Sequence, residues 1–202
     1  MHKALIVHGM TLGMIFCLCA AGRAEDSFAA GQALIQEGKY DQAIVELQKS
    51  VAAKPDFWQG RLSLADAYMM KGDLDQASAG YTDVLKIVPE NTTALINRGS
   101  LYFRKKSLNE AAADFTRAIE IDLNCLTAYS NRAAVHIALG DVQNALEDYN
   151  RCIKLSPDES NFRNRARLLA LMEEYDNAVQ DNRRILVLNK GSAAAYNSIA
   201  WI

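Results

Sequence analysis

The sequence contains few of the residues from which metal sites and nucleophilic active sites are usually built. It has three histidines and four cysteines, and two of each lie before residue 20. Beyond that point only His136, Cys125 and Cys152 remain. A zinc site takes three or four such ligands, and a Ser-His-Asp site needs a histidine of its own. We therefore predict no metal, no cofactor and no enzymatic activity.

Proline and aromatic residues are scarce as well, and basic residues are not in excess. The chain has three prolines and 8% aromatic residues, although 50% of it is hydrophobic. Strands are rich in aromatic and β-branched residues, so this composition favours helices. Lysine and arginine number 22 against 24 acidic residues, unlike the basic balance of nucleic-acid-binding domains. We expect an all-α protein that does not bind nucleic acid.

The N-terminal segment has its own composition. Lys3 precedes an apolar run from Ala4 to Ala21, and the small residues Gly22 and Ala24 lie just before Glu25. A cation, an apolar run and small residues in that order are typical of a secretory signal peptide, here cut near Ala24. The sequence thus predicts an exported protein, periplasmic or secreted, that has no membrane contact after cleavage. An uncleaved segment would instead anchor the chain in a membrane, and this alternative stays open.

A repeat of about 34 residues dominates the rest of the chain. Alanines follow five turn-like segments at this nearly constant interval, and small and bulky residues recur in phase with them. Small residues allow two antiparallel helices to approach closely, and bulky ones fill the adjacent gap. The alanines are Ala43, Ala77, Ala111, Ala145 and Ala178. The small residues that recur at one repeat position, here called the small column, are Gly31, Ala65, Gly99, Ala133 and Ala166. The bulky residues at another repeat position, here called the bulky column, are Leu47, Tyr81, Phe115 and Tyr149.

Each period holds two apolar stretches with helical spacing, as in the fourth, where Gly140 separates them and Pro157 ends the second. This pattern resembles the tetratricopeptide repeat over residues 25–202. The resemblance implies an all-α solenoid, a right-handed superhelix whose concave surface is lined by the first helices and holds peptides or proteins. The fifth repeat is the least regular, because Asn182 replaces its bulky residue and Lys190 its proline.

The repeat phase divides the chain into segments. They are a signal peptide over residues 1–24, five repeats over residues 25–57, 58–91, 92–125, 126–158 and 159–192, and the first helix of an incomplete sixth repeat over residues 193–202. Solenoid repeats bury their faces against their neighbours, so half a repeat leaves apolar surface uncovered. We expect the protein to continue beyond Ile202. Self-association through this end, or a short capping helix, are the alternatives.

One face of the first helices is the predicted binding groove. At 100° per residue it lies opposite the small column and carries an asparagine in each of repeats three to five. An amide has both a donor and an acceptor, and the resemblance implies that asparagines in this column hold a peptide backbone. Arginines on this face suit acidic side chains or a terminal carboxylate. The predicted groove residues are Asn97, Asn131, Asn164, Arg104, Arg163 and Arg167. A solvated polar face is the alternative interpretation.

The arginine after each of these asparagines lies 100° further round the helix and cannot share the groove. In repeats three to five an aspartate follows each such arginine at one fixed separation, whereas the first two repeats lack both residues. We therefore predict bidentate bridges between the two helices of one repeat, which fix their packing. The predicted pairs are Arg98–Asp114, Arg132–Asp148 and Arg165–Asp181.

Taken together, these features predict a non-catalytic scaffold that binds a protein or an extended peptide, with an acidic ligand favoured by the arginines. The alternative is the adaptor region of a longer enzyme or envelope assembly whose catalytic part lies beyond residue 202. His136 occupies the repeat position that Tyr68 and Tyr102 hold in the two preceding repeats, and it is expected in the core. Cys125 and Cys152 lie at neighbouring helix ends, so an exported protein allows a disulfide between them. Cys152 also fits a position that the small residue Ala118 holds one repeat earlier, which explains it without a disulfide.

Overall fold

The computed structural model describes residues 22–201, and every regular element in that range is an α-helix, which confirms the all-α prediction. The helices are residues 22–36 (α1), Tyr40–Ala53 (α2), Trp58–Lys71 (α3), Leu74–Ile87 (α4), Thr92–Arg104 (α5), Leu108–Ile121 (α6), Leu126–Leu139 (α7), Val142–Leu155 (α8), Glu159–Leu171 (α9), Tyr175–Leu188 (α10) and Ala193–Trp201 (α11). Nearly all of the predicted signal peptide lies outside the described residues. Within them, no helix is both long enough and apolar enough to span a membrane.

A short turn joins the paired helices of each repeat, and it contains one residue with positive φ. Glycine holds this position in three repeats, Gly38, Gly72 and Gly140, with φ of 73°, 92° and 81°. Lys106 and Glu173 hold it in the other two, with φ of 64° and 62°. A side chain in the left-handed region costs about 1–2 kcal/mol, because its Cβ crowds the following carbonyl. Repeats three and five therefore carry backbone strain that the others avoid.

Residues 22–94 belong to the first of two compact units. In it α2 packs on α3 and α3 packs on α4. A Cβ added to Gly31 would lie 2.5 Å from Cγ of the buried Leu47, and one added to Gly80 would lie 2.8 Å from Cβ of Ala65. Both contacts are too short for any larger residue without rearrangement. The close approach expected from small residues at these helix contacts is confirmed here.

Residues 95–201 belong to the second unit, in which successive helices from α6 to α11 pack against one another. Phe115 on α6 is 1% exposed, and a Cβ on Gly99 would lie 2.9 Å from its ring. Tyr149 on α8 occupies the same column one repeat later and packs in a core with Ala133 and Leu168. The small and bulky columns thus meet inside this unit as the repeat phase predicts.

Candidate protein-interaction site

The arginine next to each groove asparagine is bound to an aspartate of its own repeat, which confirms the three predicted bridges. Each guanidinium donates from Nε to Oδ2 and from Nη2 to Oδ1 of the carboxylate. The two distances are 2.8 and 2.7 Å for Arg98–Asp114, 3.0 and 2.7 Å for Arg132–Asp148, and 2.8 and 2.6 Å for Arg165–Asp181. Hydrogen bonding to the carboxylate raises the pKa of Arg98 and Arg132 above the usual arginine value. These arginines are therefore committed to the fold rather than to a ligand.

Arg132 and Arg165 each make a further contact that the sequence pattern did not predict. Nη1 of Arg132 donates to Oγ1 of Thr116 at 3.0 Å, and Nη1 of Arg165 donates to Oδ1 of Asn150 at 2.7 Å. Both acceptors lie on the second helix of the preceding repeat. Each arginine thus joins three helices and links one repeat to the next. The signal in the sequence is the recurrence of a polar residue at one repeat position, Thr82, Thr116 and then Asn150.

The asparagines of the predicted groove differ from their arginine neighbours. Asn131 on α7 and Asn164 on α9 are half-buried, and neither side chain makes a hydrogen bond to another described residue. Asn97 on α5 is half-buried as well and has an interaction within the protein. Asn131 and Asn164 therefore keep the donor and acceptor of their amides available on this face.

A cavity of about 370 Å³ opens beside Asn164. It is lined by Arg167 and Leu171 on the same helix and by Ile137 and Tyr149 from the fourth repeat. The structure thus brings the predicted groove residues Asn164 and Arg167 together next to apolar side chains of the preceding repeat. An amide, a guanidinium and apolar side chains thus line one cavity, an arrangement typical of ligand-binding sites.

The three predicted groove arginines have different surroundings. Arg104 and Arg167 are exposed and have no ion pair with a described residue. Arg163 instead pairs with Glu159 one turn earlier on α9, and Glu159 also accepts a hydrogen bond from Nδ2 of Asn189 at 3.0 Å. The four-residue spacing of this pair in the sequence is typical of an ion pair along one helix. The uncompensated positive charge on this face therefore comes from Arg104 and Arg167.

The remaining histidine and cysteines lie within the fourth repeat. Cys125 and Cys152 are free thiols, so the disulfide considered from the sequence is not formed; Cys152 is buried instead. Burial, aided by the charge of Asp148, raises the pKa of the Cys152 thiol to about 11. His136 is 18% exposed, so it is partly buried rather than a full core residue, and its buried Nδ1 lies 3.7 Å from Oδ2 of Asp141. No group of three candidate metal ligands occurs among residues 22–201.

Comparisons with known proteins bear on the repeats directly. Tetratricopeptide repeat models match residues 34–80, 62–124 and 127–159. Together these matches span more than half of the 202-residue chain. No curated protein sequence matches it.

Several solved structures are similar to this one. MamA superimposes with a TM-score of 0.76 and 21% identity, covering 85% of this chain and 94% of that chain. PilF from Pseudomonas aeruginosa superimposes with a TM-score of 0.75 and 19% identity, covering 90% of this chain and 89% of that chain. YrrB, described as a TPR protein with an unusual peptide-binding site, superimposes with a TM-score of 0.70 and 15% identity, covering 85% of this chain and 89% of that chain. These likenesses show the fold, an α-solenoid, and together with the family matches they establish that the chain belongs to the tetratricopeptide repeat family.

Proposed function

We propose that this protein is a non-catalytic interaction scaffold that holds an extended segment of a partner protein on the first-helix face of α5, α7 and α9. Two unpartnered, half-buried amides, those of Asn131 and Asn164, carry the proposal. Withdrawal of a polar group from water costs free energy unless the group finds a hydrogen-bond partner. An extended peptide backbone offers an N–H and a C=O at each residue and so satisfies both amides.

Charge on the same face supports an acidic partner segment. Arg104 and Arg167 are exposed and lack ion pairs among the described residues, so a carboxylate can approach either guanidinium. Electrostatic attraction between exposed groups is screened by salt, over a Debye length of about 8 Å at physiological ionic strength. Binding is therefore expected to weaken as salt concentration rises. The peptide-binding site named in the description of YrrB agrees with this use of the fold.

The proposal is tested by capturing partners on three forms of the protein. The first is the wild type, and the second is the Asn97→Ala/Asn131→Ala/Asn164→Ala variant, here called the ladder variant. The third is the matched control Asn109→Ala/Asn177→Ala, which changes two exposed asparagines on the second helices α6 and α10. Partners enriched from an extract of the source cell are quantified by mass spectrometry. The ladder variant is expected to lose the partners that the control retains, and equal recovery on all three proteins would refute the groove.

We also propose that the protein acts outside the cytoplasm after removal of the segment 1–24. Cleavage at this position has a structural consequence, because the carbonyl of Ala24 accepts a hydrogen bond of 2.7 Å from Oγ of the buried Ser50. In the mature chain water would replace this acceptor, and the new amino terminus could only donate to Oγ of Ser50. Mass spectrometry of protein from fractionated cells is expected to give an N-terminus at Glu25 in the exported fraction. An intact chain in the cytoplasm would contradict export.

A further inference from the structure

The fifth repeat has no bulky residue at its position in the bulky column, and a cavity lies beside this position. Tyr81, Phe115 and Tyr149 fill the space between helices in the three preceding repeats and are at most 6% exposed. The fifth repeat has Asn182 in this place, 4% exposed, with its amide nitrogen 2.9 Å from the Ala178 carbonyl oxygen of the same helix. The short side chain therefore makes a hydrogen bond within its own helix and does not fill the space beside that helix.

That space is a cavity of about 370 Å³ between α9, α10 and α11. Its wall is largely apolar and includes Ala166, Ala170, Ala195 and Ile185. A cavity of about 150 Å³ lined by apolar side chains already binds benzene, so this one has room for any single side chain. A recess of this size and lining is suited to a bulky apolar group.

The edge of the cavity carries positive charge. Arg163 and Arg167 both line it, and no acidic side chain among the described residues does. The charge of Arg163 is compensated by Glu159, whereas Arg167 is exposed and has no ion pair with a described residue. Arg167 also lines the cavity beside Asn164, so it lies between the two recesses. A ligand that enters the α9–α11 cavity therefore passes an available guanidinium.

We propose that the α9–α11 cavity receives a bulky apolar side chain of the bound peptide, while Arg167 pairs with a carboxylate one or two residues away along that peptide. An extended chain advances about 3.3–3.6 Å per residue, so a carboxylate at this separation reaches the arginine at the edge. This inference rests on the proposed function, since it assumes a peptide on the first-helix face. It adds a sequence requirement, an apolar residue close to an acidic residue or to the carboxyl terminus.

The test is a selection from a random heptapeptide library displayed on phage, carried out on the full chain and its variants. Asn182→Phe restores a bulky residue and fills the cavity, and Asn177→Phe makes the same change at an exposed site on the same helix. Arg167→Gln removes the charge at the edge, and Arg184→Gln is its exposed control on α10. Asn182→Leu serves as a second filling variant if the phenylalanine variant does not fold.

Peptides selected by the wild type are expected to pair a bulky apolar residue with a nearby carboxylate. Filling the cavity should remove the preference for an apolar residue. It should also weaken binding of the consensus peptide at least about tenfold, because burial of a large apolar side chain is lost. Arg167→Gln should remove only the acidic preference, and both controls should select as the wild type does. Unchanged preferences in the filled variant would overturn the cavity inference and leave the scaffold proposal intact. If no form selects any peptide, both are overturned.

Light scattering tests for a different occupant. The wild type is expected to be a monomer under the selection conditions. A wild-type dimer that Asn182→Phe dissociates would assign the cavity to a second copy of the chain and would overturn the peptide assignment.

Discussion

Removal of Arg132 is the change for which the structure gives the clearest energetic expectation. Its partner Asp148 has a side chain that is only 5% exposed, and it would lose both charge-assisted hydrogen bonds while remaining buried. Breaking a buried ion pair from one side typically costs about 3–5 kcal/mol, since the remaining charge is uncompensated. The Arg132 side chain is 20% exposed, so water can enter the space it leaves. We therefore expect Arg132→Met to lower the free energy of unfolding by about 3 kcal/mol, at the lower end of that range.

Removal of both charges should cost much less than removal of one. In Arg132→Met/Asp148→Leu no buried charge remains, and replacement of a whole buried pair by apolar residues is often neutral within about 1 kcal/mol. The measurement is urea unfolding followed by circular dichroism for the wild type, both single variants and the double variant. Arg184→Ala on the surface of α10 is the control and should change stability by less than about 0.5 kcal/mol.

Two results would refute this reasoning. One is a loss below about 1 kcal/mol for Arg132→Met, which would mean that the bridge is screened like a surface pair. The other is a double variant that loses as much as the two single variants combined, because additivity means that the two residues are not coupled.

Turns, helix contacts and thiols give three further predictions. Lys106→Gly should stabilise the protein by about 0.5–1 kcal/mol by relieving the left-handed residue, and a lower urea midpoint would contradict this. Gly99→Val should destabilise it by about 1–3 kcal/mol through overlap with the Phe115 ring, which an unchanged midpoint would refute. At pH 8 a thiol reagent should label Cys125 quickly and Cys152 only after unfolding, because the Cys152 side chain is buried and its raised pKa of about 11 leaves the thiol protonated. Equal labelling rates would contradict the last prediction.

The bridges could be predicted from the sequence because the repeat supplies its own comparison. Arg98, Arg132 and Arg165 appear only in repeats that also have the matching aspartate on the second helix, and helix geometry then fixes which surfaces face each other. The contacts of Arg132 with Thr116 and of Arg165 with Asn150 were missed for a physical reason. Neutral acceptors leave no charge pattern, so the recurring polar residue identifies them as partners only once the placement of successive repeats is known.

The cavity of the fifth repeat could be predicted only in part. The sequence shows that Asn182 replaces a bulky residue, but it does not show whether the neighbouring helices close over the missing volume. That outcome depends on how far the surrounding structure can relax, which varies widely between sites with the same substitution. Similarly, the proposed groove face can be assigned from helical angles, whereas the pairing of Arg163 with Glu159 depends on the side-chain conformations of both residues.

The central claim is that a partner segment lies on the first-helix face, and site-specific photocrosslinking tests it most directly. A photoreactive phenylalanine is placed at Thr127 or Ser130 on that face, or at Asn109 or Asn177 on the second helices, and the captured partner is added and irradiated. We predict covalent adducts from the two first-helix positions and none from the two second-helix positions. Adducts from the second helices alone would contradict the account.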